Sequence, residues 1–173
     1  MKQQPVIGIL MGSDSDYEVM VEAAKVLNSF DVPFEMIVSS AHRSPQRTAD
    51  YASTAAKRGI QALIIGAGAA AHLAGVVASE TTLPIIGVPI DSSALQGMDA
   101  LLATVQMPGG IPVATMAIGK AGAKNAGIFA VQMLALSDEG LAQKLVASRQ
   151  QMAQGVADKS DKLQQRLAAD GLS

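Results

Sequence analysis

The sequence predicts an α/β protein built as a three-layer, doubly wound parallel sheet of five strands, with a long C-terminal helical arm. Three observations carry that expectation. Short apolar runs, such as residues 6–11 and 60–65, have strand length and no polar alternation, as strands buried on both faces require. A polar or glycine-rich turn follows each run, and then a segment with helical apolar spacing. The strand–helix unit recurs five times in strict alternation, which favours parallel strands joined by right-handed crossovers.

The first strand covers residues 6–11, and Gly12-Ser13-Asp14-Ser15-Asp16 follows it. Ser15 and Glu18 read as a capping box for a helix carrying Val19, Met20, Ala23, Leu27 and Phe30. Asp31-Val32-Pro33 ends that helix. The second strand, residues 34–38, empties into Ser39-Ser40-Ala41-His42-Arg43. Ser44 is the expected N-cap and Pro45 the first helical residue of a helix reaching about Arg58, with Gly59 just past its end. The third strand, 60–65, opens into a glycine-rich loop, Gly66 to Leu73, and a short helix to Glu80. The fourth strand is 84–88, followed by a turn through Leu95 and a helix over 98–105. The fifth is 113–118, and Gly119 to Asn125 leads into a helix ending near Leu136. The expected strand order is flavodoxin-like.

Residues 1–137 are thus read as one α/β catalytic domain and 138–173 as its helical extension. In the extension Leu141, Leu145, Met152, Val156, Leu163 and Leu167 make a narrow apolar stripe, the mark of a helix–helix seam. Gly155 weakens that helix by about 1 kcal/mol relative to alanine. The arm is expected to pack on a neighbouring subunit; the alternative is a helix folded back on its own domain.

Composition narrows the function. The 173 residues suit one domain with a substantial core. Charged residues make up 16%, against about 25% in an ordinary domain, which suggests surface covered by further copies of the chain. A formal net charge of −2 and 3% aromatic residues give neither a basic field nor stacking platforms for nucleic acid. Cysteine is absent, which removes thiolate catalysis and the usual structural zinc sites. The N-terminus lacks signal-peptide character and no run approaches a membrane span, so a soluble cytoplasmic protein is expected.

The candidate chemistry lies on turns after strands, the carboxyl edge where ligands bind in such sheets. His42 and Arg43 set a titratable group beside a fixed cation, which suits proton transfer next to an anion. The competing reading is that they decorate a loop. Ser13, Ser15 and the amides near Gly12 favour an anion at a helix N-terminus, and Asp16 suits sugar hydroxyls; simple capping is the alternative. Gly66-Ala67-Gly68 lets backbone approach a ligand closely. It is not the dinucleotide fingerprint, which belongs after the first strand. His72 reads as a structural or supporting histidine rather than a base. A phospho-accepting receiver domain is rejected because Gly66 stands where the acceptor aspartate would be. Two histidines without matching carboxylates make a poor metal site.

Taken together, Met11-Gly12-Ser13-x-Ser15-Asp16, Ser40-Ala41-His42-Arg43-x-Pro45, Gly66-Ala67-Gly68-x-Ala70-Ala71-His72-Leu73, Gly87-Val88-Pro89, the run from Gln106 to Val113 and that from Ala117 to Ala126 resemble the class I N5-carboxyaminoimidazole ribonucleotide mutases, the PurE family of purine biosynthesis. The resemblance covers about residues 5–137. It implies movement of a carboxylate from the exocyclic nitrogen of an aminoimidazole ribonucleotide to ring carbon 4, with no metal, nucleotide or biotin cofactor. It implies His42 as the acid/base, Arg43 on the phosphate, and Ser13 and Asp16 on the substrate. Ser15, Ser40, Ala41, Gly68, Ala70 and His72 complete the expected binding set. It also implies a homo-octamer with sites shared between subunits, fed by an ATP-dependent synthetase. Two positions depart from the pattern: glycine is expected at Ala69 and proline at Ala74. The alternatives are a carboxylase using free carbon dioxide and a non-catalytic nucleotide-binding module of the same fold.

Overall fold

The computed structural model describes residues 4–172. A five-stranded parallel sheet has the order β2-β1-β3-β4-β5, formed by β1 (Ile7–Met11), β2 (Phe34–Val38), β3 (Ala62–Gly68), β4 (Ile85–Ile90) and β5 (Ala114–Thr115). This is the flavodoxin-like order expected from the alternation. Its helices are α1 (Tyr17–Ser29), α2 (Pro45–Ala55), α3 (Leu73–Glu80), α4 (Met98–Val105) and α5 (Lys120–Leu134). Strand β1 is buried along its whole length, with Ile9 level with Met36 on one side and Ile64 on the other.

The helices facing the sheet are rich in alanine, so they lie close to it. On one face Ala52 and Ala55 of α2, Ala74, Val77 and Ala78 of α3 and Ala100 of α4 pack with Leu10, Leu63 and Ile65. On α5, Gly127 permits a close helix contact: a Cβ there would lie 2.8 Å from Val26 Cβ and 2.9 Å from the Ala23 carbonyl oxygen of α1. Each fully buried Leu, Ile or Val contributes about 1.5–3 kcal/mol.

Several boundaries differ from expectation. Strand β3 does not stop at Ile65 but runs through Gly66, Ala67 and Gly68. It continues because β4 also runs on, pairing Gly66 with Val88, Ala67 with Pro89 and Gly68 with Ile90. The segment expected as a glycine-rich loop is therefore ladder backbone up to Gly68. Strand β5 keeps two residues instead of six, because it is an edge paired only with β4. Isolated bonds carry the chain onward, from Met116 N–H to Gly87 O (2.8 Å) and Gly119 N–H to Pro89 O (2.9 Å). Helix α2 ends at Ala55, and a 3₁₀ turn over Ala56–Arg58 completes it. Gly59 takes the left-handed conformation there (φ 90°), as its position predicted.

The chain divides into two compact units, with the boundary between Met133 and Leu134. The second contains α6 (Glu139–Ala169), about 46 Å long at 1.5 Å per residue. Asp138 caps it by accepting a hydrogen bond from the Leu141 N–H at 3.0 Å. None of its residues is fully buried; Leu141, Leu145 and Leu167 of the predicted stripe are half-buried, and Met152, Val156 and Leu163 are exposed.

Candidate active site

The carboxyl ends of β1, β2, β3 and β4 meet around one cavity of about 470 Å³. The β1 end supplies Gly12, Ser13, Ser15 and Asp16; the β2 end supplies Ser40, Ala41, His42 and Arg43; the β3 end supplies Ala67, Gly68 and Ala70, with Leu73 beyond. Ser92, after β4, closes the wall. Every residue of the expected catalytic and binding set lines this space except His72, which is hydrogen-bonded to His42; Gly66 does not line it.

After β1 the chain makes a 3₁₀ turn, Asp14–Asp16, before α1. The reciprocal cap is built by Ser13 and Asp16, not by Ser15 and Glu18 as expected: Asp16 Oδ2 accepts from the Ser13 N–H (3.1 Å) while Ser13 Oγ accepts from the Ser15 N–H (3.3 Å). The extra turn moves the start of α1 past Ser15, which removes the predicted pairing. It also engages the amides of Ser13 and Ser15 within the protein. Asp16 is only 6% exposed, and burial pushes its carboxyl above the ordinary value. Hydrogen bonds from the Ser13 and Gly12 amides, and the charge of Arg43, pull the other way.

The turn after β2 is wound on two serines. Ser40 Oγ accepts from the Arg43 N–H (3.2 Å). Ser44 stands at the N-cap position, but its hydroxyl makes no capping bond to α2. It turns back instead, donating to Ser40 O (3.0 Å) and accepting from Ser40 N–H (3.1 Å). A buried hydrogen bond of 2.8 Å between the Ser39 and Thr48 hydroxyls ties the turn to α2. His42 and Arg43 are thus exposed side chains on a backbone that is fixed at several points. Arg43 reaches across to donate from Nη2 to Gly12 O (3.3 Å).

The β3 end brings the second imidazole. His42 Nε2 and His72 Nδ1 share a hydrogen bond of 2.9 Å, with the rings edge to face at 5.0 Å between centroids. One of the two facing nitrogens donates and the other accepts, so the tautomers of the two rings are coupled. Ala69, just before this turn, has φ +50°, a left-handed conformation that costs a side chain about 1–2 kcal/mol. Gly68 cannot carry a Cβ, because Ser92 Oγ would lie 1.8 Å from it. Ser92 was not singled out from sequence; the signal was its place just past the fourth strand, at the same edge as the other turns. Ala74 is the second residue of α3, where a proline would forfeit no helical hydrogen bond.

A larger cavity, about 970 Å³, lies elsewhere, at the amino ends of β4 and β5 between Pro84–Ile86, Ile111, Pro112 and Phe129. It gathers no set of titratable groups and is not assigned chemistry. Among the described residues, no three His, Cys, Asp or Glu side chains cluster as metal ligands, and no helix is long and apolar enough to cross a membrane.

Fold and site together define an α/β protein with two hydrogen-bonded imidazoles beside an arginine at the carboxyl edge of its sheet. The chain belongs to the AIR carboxylase family, whose model matches residues 6–155. It is 56% identical over 160 residues to the N5-carboxyaminoimidazole ribonucleotide mutase of Bacillus subtilis, covering 92% of this chain and 99% of that protein. The mutase of the same name from Pyrococcus horikoshii is 50% identical over 163 residues, covering 94% of this chain and 91% of that one. The crystal structure of Treponema denticola PurE superposes with a TM-score of 0.82 at 26% identity, covering 92% of this chain and 98% of that chain.

Proposed function

We propose that this protein is an N5-carboxyaminoimidazole ribonucleotide mutase, an isomerase of purine biosynthesis, with His42 as its general acid and base. The observation that carries the mechanism is the His42 imidazole on the cavity wall, oriented by His72 at 2.9 Å. A carboxyl shift needs two proton transfers of opposite sense. His42 gives a proton to the exocyclic nitrogen as the nitrogen–carboxyl bond breaks, which releases carbon dioxide and the aminoimidazole ribonucleotide. Carbon 4 of the ring attacks the carbon dioxide, and His42 recovers a proton from that carbon. One imidazole therefore returns to its starting state in each cycle, as a single group acting first as acid and then as base must. Alanine and glycine walls at Ala41, Ala67, Gly68 and Ala70 leave few groups to hold water near the released gas.

Arg43 binds the phosphate, and the energy of that contact is spent on orientation of the ring. Asp16, Ser13 and Ser15 bind the ribose and its phosphate; Ser40, Ala41, Gly68, Ala70 and His72 frame the ring and carboxylate. The reaction uses no metal or organic cofactor. The working form is a cytoplasmic homo-octamer supplied by an ATP-dependent synthetase. The low charge content and the apolar stripe Leu95, Met98, Leu102 and Val105 on the outside of the α4 segment, 46–63% exposed, support self-association.

The second reading is a carboxylase that takes free carbon dioxide and aminoimidazole ribonucleotide, which the family model's own description makes relevant. Purified protein given each substrate separately decides between them. Rapid turnover of the N5-carboxylated ribonucleotide in bicarbonate-free buffer supports the mutase. Turnover only of the unsubstituted ribonucleotide with added bicarbonate contradicts it.

A further inference from the structure

A recess of about 450 Å³ adjoins the active-site cavity on its β2 side and shares Gly12, Ser13, Ser40 and Arg43 with it. Its far wall is Arg47, in the first turn of α2. Arg47 has no hydrogen-bond or ion-pair partner among the described residues, and Arg43 spends only one bond, to a carbonyl. Two arginines therefore line one concavity with most of their ten N–H donors unspent. Ser40 and Ser44 line the same recess, and their hydroxyls are fixed by hydrogen bonds to the turn. The acid on this wall, Asp14, accepts from the Ser13 hydroxyl at 3.2 Å. A pair of planar, permanently charged forks suits a tetrahedral dianion better than a carboxylate or a neutral sugar.

We infer that Arg47 is a second phosphate-binding residue, which grips the substrate's phosphate monoester from the side opposite Arg43 and makes the site select a nucleotide over its nucleoside. This rests on the placement of the phosphate near Arg43 proposed above. Arg43 lines both spaces and His42 only the main cavity, so a ribonucleotide whose phosphate enters the recess keeps its ring in the main cavity and its charged end away from the reacting atoms.

The test compares Arg47→Gln and Arg47→Lys with the wild type, read in the reverse direction with carboxyaminoimidazole ribonucleotide and with the same compound lacking phosphate. Arg47→Gln raises the KM for the nucleotide roughly tenfold and weakens competitive inhibition by inorganic phosphate by a similar factor, as loss of a charged hydrogen bond does. The effect falls on KM rather than kcat, Arg47→Lys recovers part of it, and the nucleoside is insensitive to either change. Wild-type KM and phosphate inhibition in Arg47→Gln overturn the proposal, and so does an equal loss toward nucleotide and nucleoside. If the wild type itself fails to convert the ribonucleotide, the mutase reading falls; calorimetry of inorganic phosphate with wild type and Arg47→Gln then still decides whether Arg47 binds phosphate.

Discussion

At the scale of single residues, the site combines groups that share protons or field with their neighbours. Asp16 is the clearest case, because its burial works against stability. Its carboxyl titrates above the ordinary range, so the native state binds that proton more tightly than the unfolded chain does. Stability is therefore lost as pH rises from the ordinary carboxylate value through the raised one, and the full cost stands at neutral pH. Asp16→Asn keeps an oxygen to accept from the Ser13 amide and removes the buried charge. It should gain about 0.5–1 kcal/mol in urea unfolding at pH 7, with the gain vanishing below roughly pH 4. Equal stability at both pH values would show that the amides already compensate the charge. The identity of these residues was legible in the sequence, since Ser13, Asp16, His42 and Arg43 stand directly after strands. Their pairings were not. The 3₁₀ turn that joins Ser13 to Asp16 and the meeting of His42 with His72, thirty positions on, both depend on how separate strand ends converge.

Among the elements, the carboxyl edge owes part of its shape to an irregular backbone after β3. Ala69 sits at φ +50° between the end of β3 and the His72 turn, where glycine is the unstrained residue and the one its resemblance to the family predicts. Ala69→Gly relieves the side-chain strain but loosens the unfolded chain. The net expectation is a gain of about 0.5 kcal/mol in urea unfolding, against a loss of about 0.5–1 kcal/mol for the same change at an ordinary helical position. A loss at Ala69 would mean that the left-handed turn costs nothing. Element type was readable throughout from apolar runs and turn residues. Element length was not, because a strand lasts as long as its neighbour pairs with it. Gly66–Gly68 looks like loop sequence, yet β4 beside it makes it strand; residues 113–118 look like strand, yet an edge with one neighbour keeps only Ala114 and Thr115.

For the whole molecule, the chain of 173 residues leaves a run of apolar side chains exposed on the α4 segment. Leu95, Met98, Leu102 and Val105 recur at steps of three and four along the α4 segment, a seam that matches burial against another helix. Leu102→Glu places a charge in the middle of that seam. If the proposed octamer closes through this seam, light scattering should show the variant as smaller species than wild type, with circular dichroism unchanged because Leu102 is half exposed in the single chain. An octamer that persists in this variant would move the interface elsewhere. Composition pointed toward self-association; it could not give a number of copies, which is a property of surfaces and not of residue counts.

The account turns on proton transfer by His42, and Asn at that position tests it most directly, since it preserves size and polarity but carries no titrating nitrogen. For His42→Asn, substrate affinity by calorimetry should stay close to wild type while single-turnover conversion of the N5-carboxylated ribonucleotide falls by about 10²–10⁴. Conversion at near wild-type rate would contradict the assignment of the acid–base role to this imidazole.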